Sequence, residues 1–326
     1  MQLLSTALTA LALTAASVQA AVNGFSVSAN NADGSCKSSS DWGYEMSTIK
    51  SWGFDTLRLY ASSDCNTLAN AVPAAQAAGV KLMAGVWATD ATHFDTEKQA
   101  LLGALQQYGS DWLVGVSVGS EDLYRGDVSA SQLAHQIYDV RGMVQGPGGA
   151  SSTPVGHTDT WTAWVDGSNA EVVTASDFLL VDGYPYWQGS DISSARDTFF
   201  QSYDATVNAA QGKPVMIGET GWPTGGDNHE SAVAGVSELQ SYWKSVGCEL
   251  KSRGIDYYWF SDVDCSYCAA GVEQNFGVAY NLGSLKIDLS LLLLDEGSTS
   301  EIPVAIDIAF DSFLLVYALL YASTPQ

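Results

Sequence analysis

Basic residues are what this sequence has least of. Thirteen Lys and Arg stand against 36 Asp and Glu among 326 residues, a formal net charge of −23. A surface of that sign repels phosphate backbones and anionic lipid, which excludes nucleic acid and polybasic membrane attachment. Metal motifs are also missing. Cys265-x-x-Cys268 has no second Cys-x-x-Cys beside it, the histidines (His93, His135, His157, His229) are scattered, and no His-Glu-x-x-His occurs. Tetrahedral structural zinc needs four ligands, so no metal is expected, and no cofactor either. No Asn-x-Ser/Thr occurs, which removes N-glycosylation. Apolar runs are short: the one over 313–322 is too short to span a bilayer, so no transmembrane segment is expected. Charged residues make up only 15% and hydrophobic ones 46%, which excludes a disordered chain.

The first twenty residues, MQLLSTALTALALTAASVQA, carry no charged side chain and end in the small-x-small site Val18-Gln19-Ala20. Residues 1–20 therefore read as a secretory signal peptide, though without the usual basic start, and the mature protein is expected outside the cell. In that compartment cysteines form disulfides. The five present (Cys36, Cys65, Cys248, Cys265, Cys268) leave one unpaired or mispaired, and the pairing stays open.

Eight apolar or β-branched segments follow, at 22–28, 55–61, 80–88, 112–120, 153–160, 177–186, 213–222 and 255–264. Most are continuous apolar runs, as strands buried on both faces of a parallel sheet require; the fifth is the poorest. Helical patterns lie between them, at 39–52, 66–78, 95–108, 130–144, 194–210 and 229–252. Strand starts recur every 24 to 42 residues, one βα unit each. Eight units over residues 21–289 predict a single-domain (β/α)8 TIM barrel, an α/β fold. An open doubly wound sheet would carry a Gly-x-Gly-x-x-Gly turn after its first strand, and none is there. Residues 290–326, with no Lys or Arg, fall outside this repeat and receive no role.

In a barrel of this kind the reacting groups sit at the carboxyl ends of the strands. Glu121 and Glu219 each close an apolar strand, where a carboxylate is costly unless paired or useful. One isolated Glu would be read as an ion-pair partner of Arg58. Two of them, at one barrel mouth among Tyr and Trp, are the equipment of glycoside hydrolysis: one protonates the leaving oxygen and the other attacks the anomeric carbon.

The stretches VGVSVGSEDLYRG around Glu121 and VMIGETGWPTGG around Glu219 resemble the strand-four and strand-seven motifs of glycoside hydrolase family 17, in its fungal secreted branch. Arg58-x-Tyr60, Tyr184-Pro185-Tyr186 and Glu273-x-x-Phe276-Gly277 add to the resemblance, which runs from about Gly24 to Leu289. It implies a retaining endo-1,3-β-glucanase acting on wall β-1,3-glucan as its partner, with Glu121 as acid/base and Glu219 as nucleophile. Arg58, Tyr60, Tyr184 and Tyr186 are expected at the substrate, with Trp222, Trp259 and Phe260 as its walls. Glu273 and Asp264 are assigned to sugar hydroxyls or to holding the acid/base, with a loop salt bridge as the alternative. The wider clan usually places Asn before the acid, facing the sugar 2-hydroxyl; Ser120 stands there instead, with a shorter reach and one donor. A monomer is expected. Two other readings share these residues: a β-1,3-glucanosyltransferase using the same site, and a non-catalytic glucan-binding wall protein on a degenerate barrel.

Overall fold

The computed structural model describes residues 22–289. The signal peptide expected at 1–20 and the stretch 290–326 lie outside the described residues. Eight strands follow one another in chain order around a closed barrel, each parallel to its neighbours. They are β1 (Asn23–Val27), β2 (Thr56–Leu59), β3 (Lys81–Val86), β4 (Leu113–Ser120), β5 (Val155–Thr160), β6 (Leu179–Asp182), β7 (Val215–Glu219) and β8 (Tyr257–Trp259). Each begins one or two residues after its expected start. A small antiparallel hairpin, β9 (Ala279–Asn281) with β10 (Ser284–Leu285), follows the barrel.

The major helices are α1 (Ser39–Ser51), α2 (Thr67–Ala78), α3 (Ala91–Tyr108), α5 (Ala130–Gln145), α8 (Ile192–Ala209) and α9 (Val236–Arg253). Short ones stand at α4 (Asp122–Arg125), α6 (Trp161–Val165) and α7 (Ala170–Ala175), which the sequence pattern did not indicate. Local chemistry sets the ends. Ser38 and Asp41 form a reciprocal capping box on α1, and the side chains of Asp90, Ser129 and Asp191 cap α3, α5 and α8. The last long helix begins at Val236 rather than 229, because His229 and Ala232 pair in an isolated bridge ahead of it.

Strand side chains alternate between the helical layer and the barrel interior. Leu57 and Leu59 join the main core, whereas Arg58 reaches Glu219 across the barrel. Leu179 and Val181 also face the helices, while Leu180 joins a small interior cluster with Met83, Phe178 and Tyr258. Between barrel and helices, Phe25, Phe54, Trp243 and Trp259 interlock, with ring centroids 4.6 Å apart for Trp243–Trp259 and 5.0 Å for Phe25–Phe54. Disulfides join Cys36 to Cys65 and Cys265 to Cys268, leaving Cys248 exposed with a free thiol. The Cys-x-x-Cys pair is thus a local crosslink.

Candidate active site

Glu219 is the last residue of β7 and only 8% exposed. Three donors converge on it. Arg58 Nη1 (2.7 Å) and the Tyr60 hydroxyl (2.6 Å) reach Oε1, and the Tyr184 hydroxyl (2.7 Å) reaches Oε2. Burial, and after it the charge of Glu219, pushes both tyrosines well above the usual phenol range, so each keeps its O–H for donation. Arg58 is itself buried and is held further by Ser26 Oγ (3.2 Å) and Ser120 Oγ (3.0 Å). Ser120 therefore serves as an acceptor for Arg58, a use the clan comparison did not anticipate.

Glu121 follows β4 and takes a left-handed backbone, φ 59°. The turn that holds it is built from buried polar groups. Asp122 accepts from Ser120 N (2.7 Å), and Asp159 accepts from Leu123 N (2.9 Å) and Tyr124 N (3.3 Å). His157 ties Asp159 (2.9 Å) to the carbonyl of Val118 (2.6 Å). Gly119, at φ 76°, is required here, since a Cβ would lie 2.0 Å from the Asp122 carboxylate. Burial, reinforced by the nearby charge of Glu219 and opposed by Arg125, pushes Glu121 up to about 7. Arg125 Nη1 lies 2.9 Å from Glu121 Oε2. Two carboxyl groups thus share one mouth in different surroundings: one gathers donors, the other retains a proton near neutrality.

Both face a cleft of about 480 Å³ lined also by Tyr124, Thr160, Trp161, Asp182, Tyr184, Trp187, Phe260, Glu273 and Phe276. Phe260 and Glu273 are where a substrate-facing role needs them, and burial followed by the charge of Glu219 raises Glu273. A smaller hollow of about 210 Å³ is lined by Asn30, Tyr60, Asp64 and Trp87, so a partner of Glu219 borders it too.

Four expected contacts fall elsewhere. Trp259 is fully buried against Trp243, because strand alternation turns Tyr258 inward and Trp259 outward. Trp222 is also fully buried; its indole N–H donates to the Val233 carbonyl at 2.8 Å and so anchors the segment before α9. Tyr186 is buried beside Trp222, its hydroxyl donating to the Asp227 carbonyl. Asp264 is engaged by the Lys286 ammonium and by Gly277 N (3.2 Å), the loop salt bridge foreseen as the alternative. Conversely, Tyr124 (63% exposed) and Trp187 (43%) present aromatic surface at the cleft that was not assigned.

Among the described residues one His/carboxylate cluster, Asp64, His93 and Glu97, has the composition of a cation site. Its buried member is already used: Glu97 accepts from Ser62 N (2.6 Å), Ser63 N (2.8 Å) and Trp87 N (3.3 Å), and so holds two βα loops.

Residues 24–277, nearly the whole barrel, match the BtgE/BtgC glycoside hydrolase domain. The chain belongs to this family. This BtgE/BtgC-type hydrolase is 38% identical over 276 residues to a Schizosaccharomyces pombe protein named glucan 1,3-beta-glucosidase, covering 82% of the chain and 85% of the relative. It is 42% identical over 279 residues to a probable glucan endo-1,3-beta-glucosidase of Aspergillus oryzae, covering 78% of the chain and 60% of that protein. Among solved structures, the glycoside hydrolase family 17 beta-1,3-glucanosyltransferase from Rhizomucor miehei superposes with a TM-score of 0.74 at 33% identity, over 82% of the chain and 97% of the neighbour.

Proposed function

We propose that this protein is a secreted, retaining endo-1,3-β-glucanase in which Glu219 is the nucleophile and Glu121 the acid/base. The reading rests on the contrast between the two carboxyl groups: three donors on Glu219, a retained proton on Glu121. Naming of the S. pombe and A. oryzae relatives supports β-1,3-glucan as substrate. In the first step Glu219 attacks the anomeric carbon, the C1–O bond breaks, and the Glu121 proton passes to the departing oxygen. Oε2, with a single donor, is the attacking oxygen, while Arg58 and Tyr60 keep Oε1 as the ester carbonyl. In the second step Glu121 takes a proton from water, whose oxygen displaces Glu219 and restores the β configuration. Phe260, Trp187 and Tyr124 offer ring faces to the sugars, and Glu273 an acceptor for their hydroxyls. Export through the leader at 1–20 would deliver the enzyme to extracellular or wall glucan.

A second reading keeps the same ester but lets a sugar hydroxyl take the place of water; the R. miehei neighbour, a glucanosyltransferase by name, favours it. Trapping tests what both readings share. A 2-deoxy-2-fluoro gluco-oligosaccharide with an activated leaving group should leave a covalent adduct on the peptide containing Glu219. An adduct elsewhere, or none together with wild-type turnover, would remove Glu219 from the mechanism.

A further inference from the structure

Beside Glu219 lies a carboxyl group that the double displacement leaves unused. Asp182 closes β6 and is the register partner of Glu219. It borders the cleft, yet is only 2% exposed, and neither of its oxygens has a hydrogen-bond partner among the described residues. An ionised carboxylate buried without a hydrogen bond is costly, the more so beside a second charged carboxylate. Arg58 supplies the complementary oddity: its guanidinium is 1% exposed and saturated on the side facing Glu219 and Ser120, while its Nε is buried without a partner. An orphan acceptor and an orphan donor thus flank the same nucleophile.

We propose that Asp182 is a standby counter-ion for Arg58, protonated while Glu219 is charged and ionised while Glu219 is esterified. This inference rests on Glu219 being the nucleophile. Forming the ester removes the negative charge that balances a buried guanidinium, and leaving such a charge uncompensated is strongly unfavourable. The Asp182 proton passes to water in the cleft, and the new carboxylate takes over the balance. When hydrolysis returns Glu219 to a carboxylate, Asp182 recovers a proton from water, so the cycle is closed in protons. The groups that act on Asp182 agree with this coupling. Burial raises it most, the charges of Glu219, Glu121 and Asp159 raise it further, and only Arg58 opposes them; Tyr60 and Tyr184 complete its polar surroundings. Removing the charge of Glu219 therefore tips the balance towards ionisation.

The direct test is infrared spectroscopy at about pH 6, with the Asp182 carboxyl band assigned as the band missing in D182N and separated from that of Glu121 by E121Q. Wild-type protein should show the protonated band. In E219Q, whose amide mimics the loss of charge, the band should vanish. Its persistence in E219Q, or its absence from wild type, would overturn the proposal without touching the reading of Glu219. The functional arm uses the fluoro-sugar: D182N should be trapped at least about tenfold more slowly than wild type, with its melting temperature held, because the ester leaves Arg58 unbalanced. Equal trapping rates would also overturn it, whereas failure to trap the wild-type enzyme would count against the nucleophile assignment instead.

Discussion

Glu121→Gln isolates the acid role. The amide keeps the shape and the position after β4 but has no proton to give. In the wild type, Glu121 is pushed up to about 7 from 4.5, so at pH 6 about nine-tenths of it is protonated, against about 3% for an ordinary glutamate. Burial and Glu219 thus enlarge the acid form roughly 30-fold at that pH. A positioned acid contributes roughly 10²–10⁴-fold, or about 2.7–5.5 kcal/mol of barrier, and that is the loss expected on a β-1,3-glucan, whose leaving alcohol needs a proton. An aryl glycoside with an acidic phenol leaves without one, so its glycosylation step should fall by less than about tenfold. The assay is kcat/KM on both substrates between pH 4 and 9. Wild type should lose activity as pH rises through about 7, since the acid form is then depleted, and the variant should lack that limb. Equal losses on both substrates, or an unchanged limb near 7 in the variant, would refute the assignment.

Glu219→Gln should abolish turnover while oligosaccharide binding, followed by calorimetry, is kept; it should also lower the Glu121 titration seen by NMR, because a neighbouring like charge is gone. Tyr184→Phe removes the single donor on Oε2 and should cost about 1.5–3 kcal/mol, roughly 10- to 100-fold in kcat. Opening the Cys36–Cys65 link by double alanine substitution should lower the unfolding free energy in a denaturant titration by about 3–4 kcal/mol, from the 29-residue separation it closes. Glu45, buried in α1 and pushed up to about 7 by burial despite Lys37, binds its proton more tightly folded than unfolded. Stability should therefore fall as pH rises from about 4.5 to 7, and Glu45→Gln should flatten that slope in melting temperature.

The barrel was legible because seven of its strands are apolar on both faces, and that run-length pattern survives any detail of packing. The fifth reads poorly for a functional reason: in VGHTDT the polar His157 and Asp159 hold the turn that carries Glu121. Weak interest in that strand also hid the loop after it, where Trp161 meets the cleft. The two glutamates could be found because strand ends are fixed by the repeat. The aromatic walls could not be sorted by residue type, since a Trp packs a core as readily as it stacks on a sugar. Parity was the available signal for Trp259: one strand position apart, Tyr258 and Trp259 must face opposite ways. Asp182 stood in view at the end of β6, but its importance lies in the absence of hydrogen-bond partners and in its nearness to Arg58 and Glu219. Those are properties of three strands brought together.

The central claim, a double displacement through Glu219 on β-1,3-glucan, meets its most direct test in the first products released from a linear β-1,3-gluco-oligosaccharide, followed by proton NMR and by chain length. Shorter chains appearing first as β-anomers are the predicted result. Chains longer than the starting oligomer would keep the displacement but make the enzyme a transferase. α-Anomers appearing first would contradict the account, since a single displacement by water needs no nucleophilic glutamate at all.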